Sequence, residues 1–201
     1  GIDLESHNQL MNALGPIFGK IYLSQENRPK GMGFYDFVVG DIHGIRVKEL
    51  REHAKNGGKV VATYCVFVPE EFCWAADAIP VSLCAGTQFS VPVAEEVLPR
   101  NTCALIKSSY GFKLGRLCPY VQVSHLIVGE TTCDGKKKMF ELLAEQQPVY
   151  VMEVPNKRGV SGRTLWQQEV RDFKAKIEEL TGNEITAENL NEAIKKVNAR
   201  R

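Results

Sequence analysis

Four short apolar runs, separated by longer amphipathic segments, constrain the fold of this chain more than any other feature. They are rich in β-branched residues and are bounded by glycine or proline, which is typical of strands buried on both faces. The runs occupy residues 59–68, 79–84, 126–129 and 149–154. Helical patterns lie between them, for example after Pro69 and over residues 136–146. The alternation predicts an α/β domain, a Rossmann-like doubly wound parallel sheet with helices on both faces.

The pattern divides the chain into three parts. Residues 1–55 lack the apolar runs and predict a helical extension at the N-terminus. Residues 56–163 hold the predicted sheet, and residues 164–201 predict two amphipathic helices. Because the last helical pattern reaches Arg201 without a stop signal, we expect this segment to lead into a second domain.

Composition excludes several classes of partner. The formal net charge of +1 offers no electrostatic reason to bind nucleic acid or an anionic membrane. No apolar run approaches the roughly 20 residues that span a bilayer, and the first residues lack the apolar stretch of a secretion signal. We therefore expect a cytoplasmic protein.

Six cysteines are the unusual feature of the composition. In a reducing cytosol they are expected to be packed, catalytic or metal-bound rather than joined in disulfides. Cys65, Cys84 and Cys133 lie near the ends of the first three predicted strands, where ligands bind in open parallel sheets. Cys133 also precedes a predicted helix and a run of three lysines, which favour the metal-binding thiolate form. We expect these three sulfurs to face a common cavity.

The other three cysteines have less distinctive positions. Cys103 lies at a possible helix start, Cys118 precedes a proline in a loop, and Cys73 lies inside a helix as an expected core residue. No CxxC pair is present, so neither a zinc ribbon nor a thioredoxin-type motif is indicated. Thiolates without suitably spaced histidines favour an iron–sulfur cluster. From spacing alone, packed thiols and a redox switch remain open as alternatives.

Longer segments resemble the 2-hydroxyacyl-CoA dehydratase D-component family. Those segments are TYCVFVPEE at 63–71, AIPV at 78–81 and GETTCDGKKKM at 129–139. Two further segments resemble the double-cubane-cluster branch of that family, LCAG at 83–86 and CALIKSSYG at 103–111. The resemblance extends from about residue 41 to the C-terminus and covers the first domain only.

The resemblance implies a set of metal ligands and partners. Cys103 and Cys133 match the general cluster cysteines of the family, whereas Cys65, Cys84 and Cys118 match cysteines of the double-cubane branch. These residues would hold a [4Fe-4S] or double-cubane cluster between two Rossmann-like domains. An ATP-hydrolysing activator with its own iron–sulfur cluster would deliver low-potential electrons, in a homodimer or heterodimer. No catalytic side chain is assigned.

The implied function is an iron–sulfur-dependent reductase or dehydratase component that acts on a small molecule or an acyl-CoA. A non-catalytic electron-transfer or redox-sensing module is the alternative. The segment from Gly129 to Lys136 is not a phosphate loop, because its glycines have the wrong spacing and Lys137 replaces the magnesium-binding hydroxyl. We therefore expect no ATP site in this chain. The glycine-containing segment at 159–164 is read as a loop rather than an anion cradle.

Overall fold

The structure, a computed structural model, describes residues 1–83 and 85–200. Its centre is a parallel sheet with the strand order β2-β1-β3-β4. The strands are β1 (Lys59–Thr63), β2 (Ala78–Ser82), β3 (Leu126–Glu130) and β4 (Val149–Met152). The predicted α/β fold is confirmed.

The first apolar run yields a shorter strand than its sequence predicts. Residues 59–68 predict one strand, but β1 ends at Thr63. The neighbouring β2 ends at Ser82, which is the register partner of Thr63. Beyond that point the chain turns, and Val66 is 94% exposed. Cys65 therefore lies in a connection at the carboxyl edge of the sheet instead of inside a strand.

Ten α-helices surround the sheet in the described part of the chain. They are α1 (Leu4–Phe18), α2 (Met32–Gly40), α3 (Ile45–Lys55), α4 (Glu70–Ala75), α5 (Val91–Ala94), α6 (Ala104–Leu114), α7 (Pro119–Val123), α8 (Asp134–Ala144), α9 (Val160–Thr181) and α10 (Ala187–Arg200). A π-helical turn, Gly19–Leu23, continues α1, and a 3₁₀ turn, Gln88–Ser90, precedes α5.

Successive side chains of the strands point to opposite faces of the sheet, and helices cover both faces. On the first face, Val61 and Val128 pack with helices α4, α9 and α10, around the fully buried Phe173. On the second face, Val60 and Ile127 pack with α3 and α7. Both faces of each central strand are thus buried, which explains why the runs are apolar without alternation.

Helices α5, α6 and α8 form a third cluster that borders the second face. Ile106 and Tyr110 of α6 pack there with Met139, Phe140 and Leu143 of α8. A side chain at position 129 could not fit, because a Cβ atom would lie 2.4 Å from the ring of Phe140. Gly129 therefore serves close packing between β3 and α8.

The N-terminal extension is helical, as predicted; its last helix, α3, buries Val47 and Leu50, whereas α1 and α2 are less buried. Helix α1 buries Leu10, whereas α2 buries none of its residues and exposes Phe34 and Phe37. Within residues 1–83 and 85–200, no helix is long and apolar enough to cross a membrane.

The strand order predicts a crevice between β1 and β3. The chain leaves β1 through α4 on the first face and leaves β3 through α8 on the second face. In open parallel sheets, ligands bind where neighbouring strands send their connections to opposite faces. The carboxyl ends of β1 and β3 therefore mark the place to search for a site.

Candidate metal centre at the carboxyl edge of the sheet

Cys65 and Cys133 flank this crevice. Cys65 follows β1 by two residues and is half-buried, and Cys133 follows β3 by three residues and is exposed. Strands β1 and β3 are hydrogen-bonded neighbours, with Thr63 opposite Val128. Two thiols far apart in sequence thus follow neighbouring strands at the same edge of the sheet.

A lysine ammonium lies within electrostatic range of both thiols. Burial by itself lowers the pKa of Lys136, but a hydrogen bond and ion pair with Glu130, together with the nearby Cys65 and Cys133, raise it overall. Lys136 is therefore cationic at neutral pH. A fixed positive charge therefore lies beside two cysteines at this edge of the sheet.

Glu130 holds this lysine and the loop before Cys133. Its side chain is completely buried at the end of β3, and its carboxylate accepts hydrogen bonds from Lys136 Nζ and, at 2.7 Å, from the backbone N–H of Thr132. Burial alone would raise the pKa of Glu130, but these hydrogen bonds lower it. Glu130 is thus an ionised carboxylate in the protein interior.

Further hydrogen bonds fix the same loop to β4. The backbone N–H of Thr131 donates to the carbonyl of Met152 at 3.2 Å, and Thr131 Oγ1 accepts from the backbone N–H of Val154 at 2.9 Å. Cys133 therefore projects from an ordered turn. Sequence reasoning missed Glu130, although an acid that ends a buried apolar strand is a usable signal for a paired interior charge.

Cys103 and Cys133 occupy equivalent positions at the starts of two adjacent helices. Each residue immediately precedes a helix, α6 or α8, and neither side chain caps the first turn. The helices pack side by side, and a Cβ atom at Gly135 would lie 2.7 Å from Ile106 Cδ1 and 3.8 Å from Cys133 Sγ. Both cysteines therefore lie at the positive end of a helix dipole.

Cys118 lies elsewhere, on the second face of the sheet. It precedes α7, is buried, and lines a cavity of 530 Å³ together with Leu83 and Ala85. Cys84 itself lies outside the described residues. Ser82 and Leu83 also line a separate cavity of 560 Å³ that contains Cys65. The segment before Cys84 therefore borders both the Cys65 cavity and the Cys118 cavity.

Cys73 has the environment expected of a core residue. It is completely buried on the first face in α4. Burial, with a smaller contribution from Glu70, raises the pKa of its thiol to about 12. A thiol that stays protonated at neutral pH is a poor metal ligand.

The cysteines of the described ranges do not by themselves form a closed coordination shell. Within residues 1–83 and 85–200, no three side chains of His, Cys, Asp or Glu converge closely enough to hold a metal ion. The assignment of Cys65, Cys84, Cys103, Cys118 and Cys133 as ligands stays a prediction, as does the common cavity for Cys65, Cys84 and Cys133.

Two glycine-containing segments that resemble phosphate sites have structural roles. Gly129 lies inside β3, and Gly135 lies in the first turn of α8. The later segment, residues 159–164, is not the loop that its sequence predicts, because α9 begins at Val160. A Cβ atom at Gly162 in the first turn of α9 would lie 1.9 Å from the backbone oxygen of Lys157. Both segments thus need glycine for close packing.

Comparison with known proteins assigns the chain to a family. Residues 65–201 match the family model described as 2-hydroxyglutaryl-CoA dehydratase, D-component. The chain is also 47% identical over 151 residues to an Escherichia coli (strain K12) protein named "Putative dehydratase subunit YjiM". That match covers 75% of this chain and 39% of the relative's length. The chain therefore belongs to the 2-hydroxyglutaryl-CoA dehydratase D-component family.

Proposed function

We propose that this chain is the cluster-binding domain of an iron–sulfur-dependent reductase or dehydratase component. Its thiolate ligands would come from five cysteines, Cys65, Cys84, Cys103, Cys118 and Cys133. An ATP-hydrolysing activator with its own cluster would supply electrons, and the substrate would be a small molecule or an acyl-CoA. A bound cluster, [4Fe-4S] or double-cubane, would supply one-electron chemistry at low potential.

The observation that supports this proposal best is that Cys65 and Cys133 follow neighbouring strands and both lie within electrostatic range of Lys136. Iron–sulfur clusters are held by thiolates. Lys136 and the start of α8 offset negative charge at this edge. The thiols and the positive charges near them therefore fit an anionic, thiolate-bound group. The ion pair with the buried Glu130 holds the Lys136 side chain in place.

The surface around these cysteines fits a site shared with a further domain. Val66 and Phe67, next to Cys65, are 94% and 46% exposed, and Leu105, near Cys103, is 58% exposed. Apolar side chains beside polar ligands are typical of surfaces that become covered. The chain spans 39% of the relative's length. We propose that a second domain covers this edge and supplies the remaining ligands, in a homodimer or heterodimer located in the cytoplasm.

Anaerobic purification of the full-length protein, with iron and sulfide counted per chain, tests the proposal. We expect at least one four-iron cluster for each chain and little metal on the isolated residues 1–201. Reduction by the activator and ATP would then bleach the visible absorption of the cluster. The absence of iron and sulfide from anaerobically prepared full-length protein would refute the proposal, and a complete cluster on residues 1–201 alone would refute the shared site.

A further inference from the structure

The cavity that contains Cys118 has the size and lining of a small-molecule pocket. Its volume of 530 Å³ falls within the range that ligand pockets occupy. Leu10 and Leu14 of α1, Leu83 after β2 and Phe112 of α6 form apolar walls. This lining suits a short aliphatic body rather than a highly polar ligand.

His43 supplies a polar group that the fold leaves unused. Its Nδ1 atom is buried and makes no hydrogen bond within the described residues, and its ring stacks on His7 with the centroids 4.9 Å apart. Burial, together with the nearby His7, lowers the pKa of His43 to about 4, so the ring is neutral at physiological pH. The buried Nδ1 atom is therefore the unpartnered position of this ring, and the tautomer that carries its proton there would donate to a ligand in the cavity.

Arg46 supplies a cation at the opening of the same cavity. It lies on the first turn of α3, three residues after His43, and its side chain is 45% exposed. Its ion pair with Glu49 is 3.1 Å long, and the glutamate side chain is 57% exposed. An exposed pair of this kind is weak, so the guanidinium is free to bind another carboxylate.

We infer that this cavity binds a short aliphatic carboxylate, with its chain against Leu10, Leu83 and Phe112 and its carboxylate at Arg46 and His43. The two donors differ in kind, since Arg46 supplies a charge and His43 a neutral N–H, and one carboxylate can accept from both. Binding needs no iron. The cavity adjoins ligands of the proposed function, because Cys118 and the neighbours of Cys84 line it, but binding of the carboxylate does not depend on a cluster.

Calorimetric titration of the full-length protein with hexanoate tests this inference. Arg46→Gln is the informative variant, because an exposed side chain is replaced without disturbing the core. We expect saturable binding that weakens about tenfold in Arg46→Gln, as the loss of a charge-assisted hydrogen bond predicts. Arg51→Gln is the matched control, since Arg51 is an exposed arginine of the same helix that lines a different cavity. Its affinity should equal that of the wild type, and hexanol should bind more weakly than hexanoate.

Iron content measured on the same samples separates this inference from the proposed function. Two results would overturn the carboxylate site and leave the cluster proposal intact. One is a wild-type protein that retains its iron but does not bind hexanoate. The other is equal affinity for hexanoate in Arg46→Gln and Arg51→Gln. Hexanoate binding by a protein that lacks iron would support the site and contradict the cluster proposal alone.

Discussion

The buried ion pair between Glu130 and Lys136 makes a quantitative prediction about the Cys133 loop. Glu130→Ala removes a completely buried carboxylate and leaves two donors without an acceptor, the ammonium of Lys136 and the backbone N–H of Thr132. Breaking a buried pair by deleting one partner costs roughly 3–5 kcal/mol. Lys136 keeps 27% of its side chain exposed and is able to recover some hydration. We therefore expect a loss of about 3 kcal/mol, near the lower limit.

Urea denaturation measures this loss. With a slope of about 2 kcal/mol per molar urea, the midpoint of Glu130→Ala should fall by about 1.5 M. Adding Lys136→Met should recover part of the loss, because the second change removes the unpaired cation. Glu141→Ala is the matched control. Glu141 pairs with Lys138 on the surface of α8, the helix that carries Lys136, and its side chain is 65% exposed. A Glu130→Ala midpoint as close to the wild type as that of Glu141→Ala would refute the reasoning.

Three further predictions follow from the environments of single residues. Hydrogen bonds lower the pKa of Glu130 in the folded protein. The stability difference between the wild type and Glu130→Ala should therefore persist above about pH 4.3 and shrink as the pH falls through the folded pKa. A difference unchanged at pH 3 would contradict this. In the full-length protein, Cys133→Ser should abolish iron binding and leave the circular dichroism spectrum unchanged. Cys73→Ala should keep its iron and lose roughly 1 kcal/mol of stability. Full iron content in the Cys133→Ser variant would show that Cys133 is not a ligand. Gly111→Ala should lose more than about 2 kcal/mol in urea denaturation, because its Cβ would lie 1.9 Å from the backbone oxygen of Ser90 in the 3₁₀ turn before α5. Gly33→Ala in α2 meets no atom within 4 Å and should be neutral or stabilising; equal effects would contradict the crowding.

Local patterns in the sequence determine the elements of this protein. Strand β1 is predicted by its β-branched residues, and the helix after it is predicted by Pro69 and two acids in its first turn. Cys73 is predicted to be a core residue by its position within the same helix, and the structure buries it completely. These features are predictable because each depends on neighbours within a few residues.

The tertiary structure decides which strand ends are neighbours. In the sequence, Cys65, Cys84 and Cys133 lie near the ends of three successive predicted strands, so their sulfurs are expected to face a common cavity. The order β2-β1-β3-β4 puts β1 between β2 and β3, so the carboxyl ends of β2 and β3 both lie beside that of β1. Strand β2 is at the edge, and the segment before Cys84 also borders the cavity of Cys118. Strand order depends on contacts between segments far apart in the chain, which local periodicity does not encode.

Glu130 shows the same division at a single residue. The sequence determines that an acid ends an apolar run, and the resemblance to a family marks the segment around Cys133 as functional. Only the packed structure shows that this acid is fully buried and paired with Lys136, within range of thiols from two strands. Whether a charge is buried depends on what the rest of the chain places around it. Local sequence therefore determines the charge of Glu130. Tertiary packing decides whether that charge is solvated or holds the groups of a site in place.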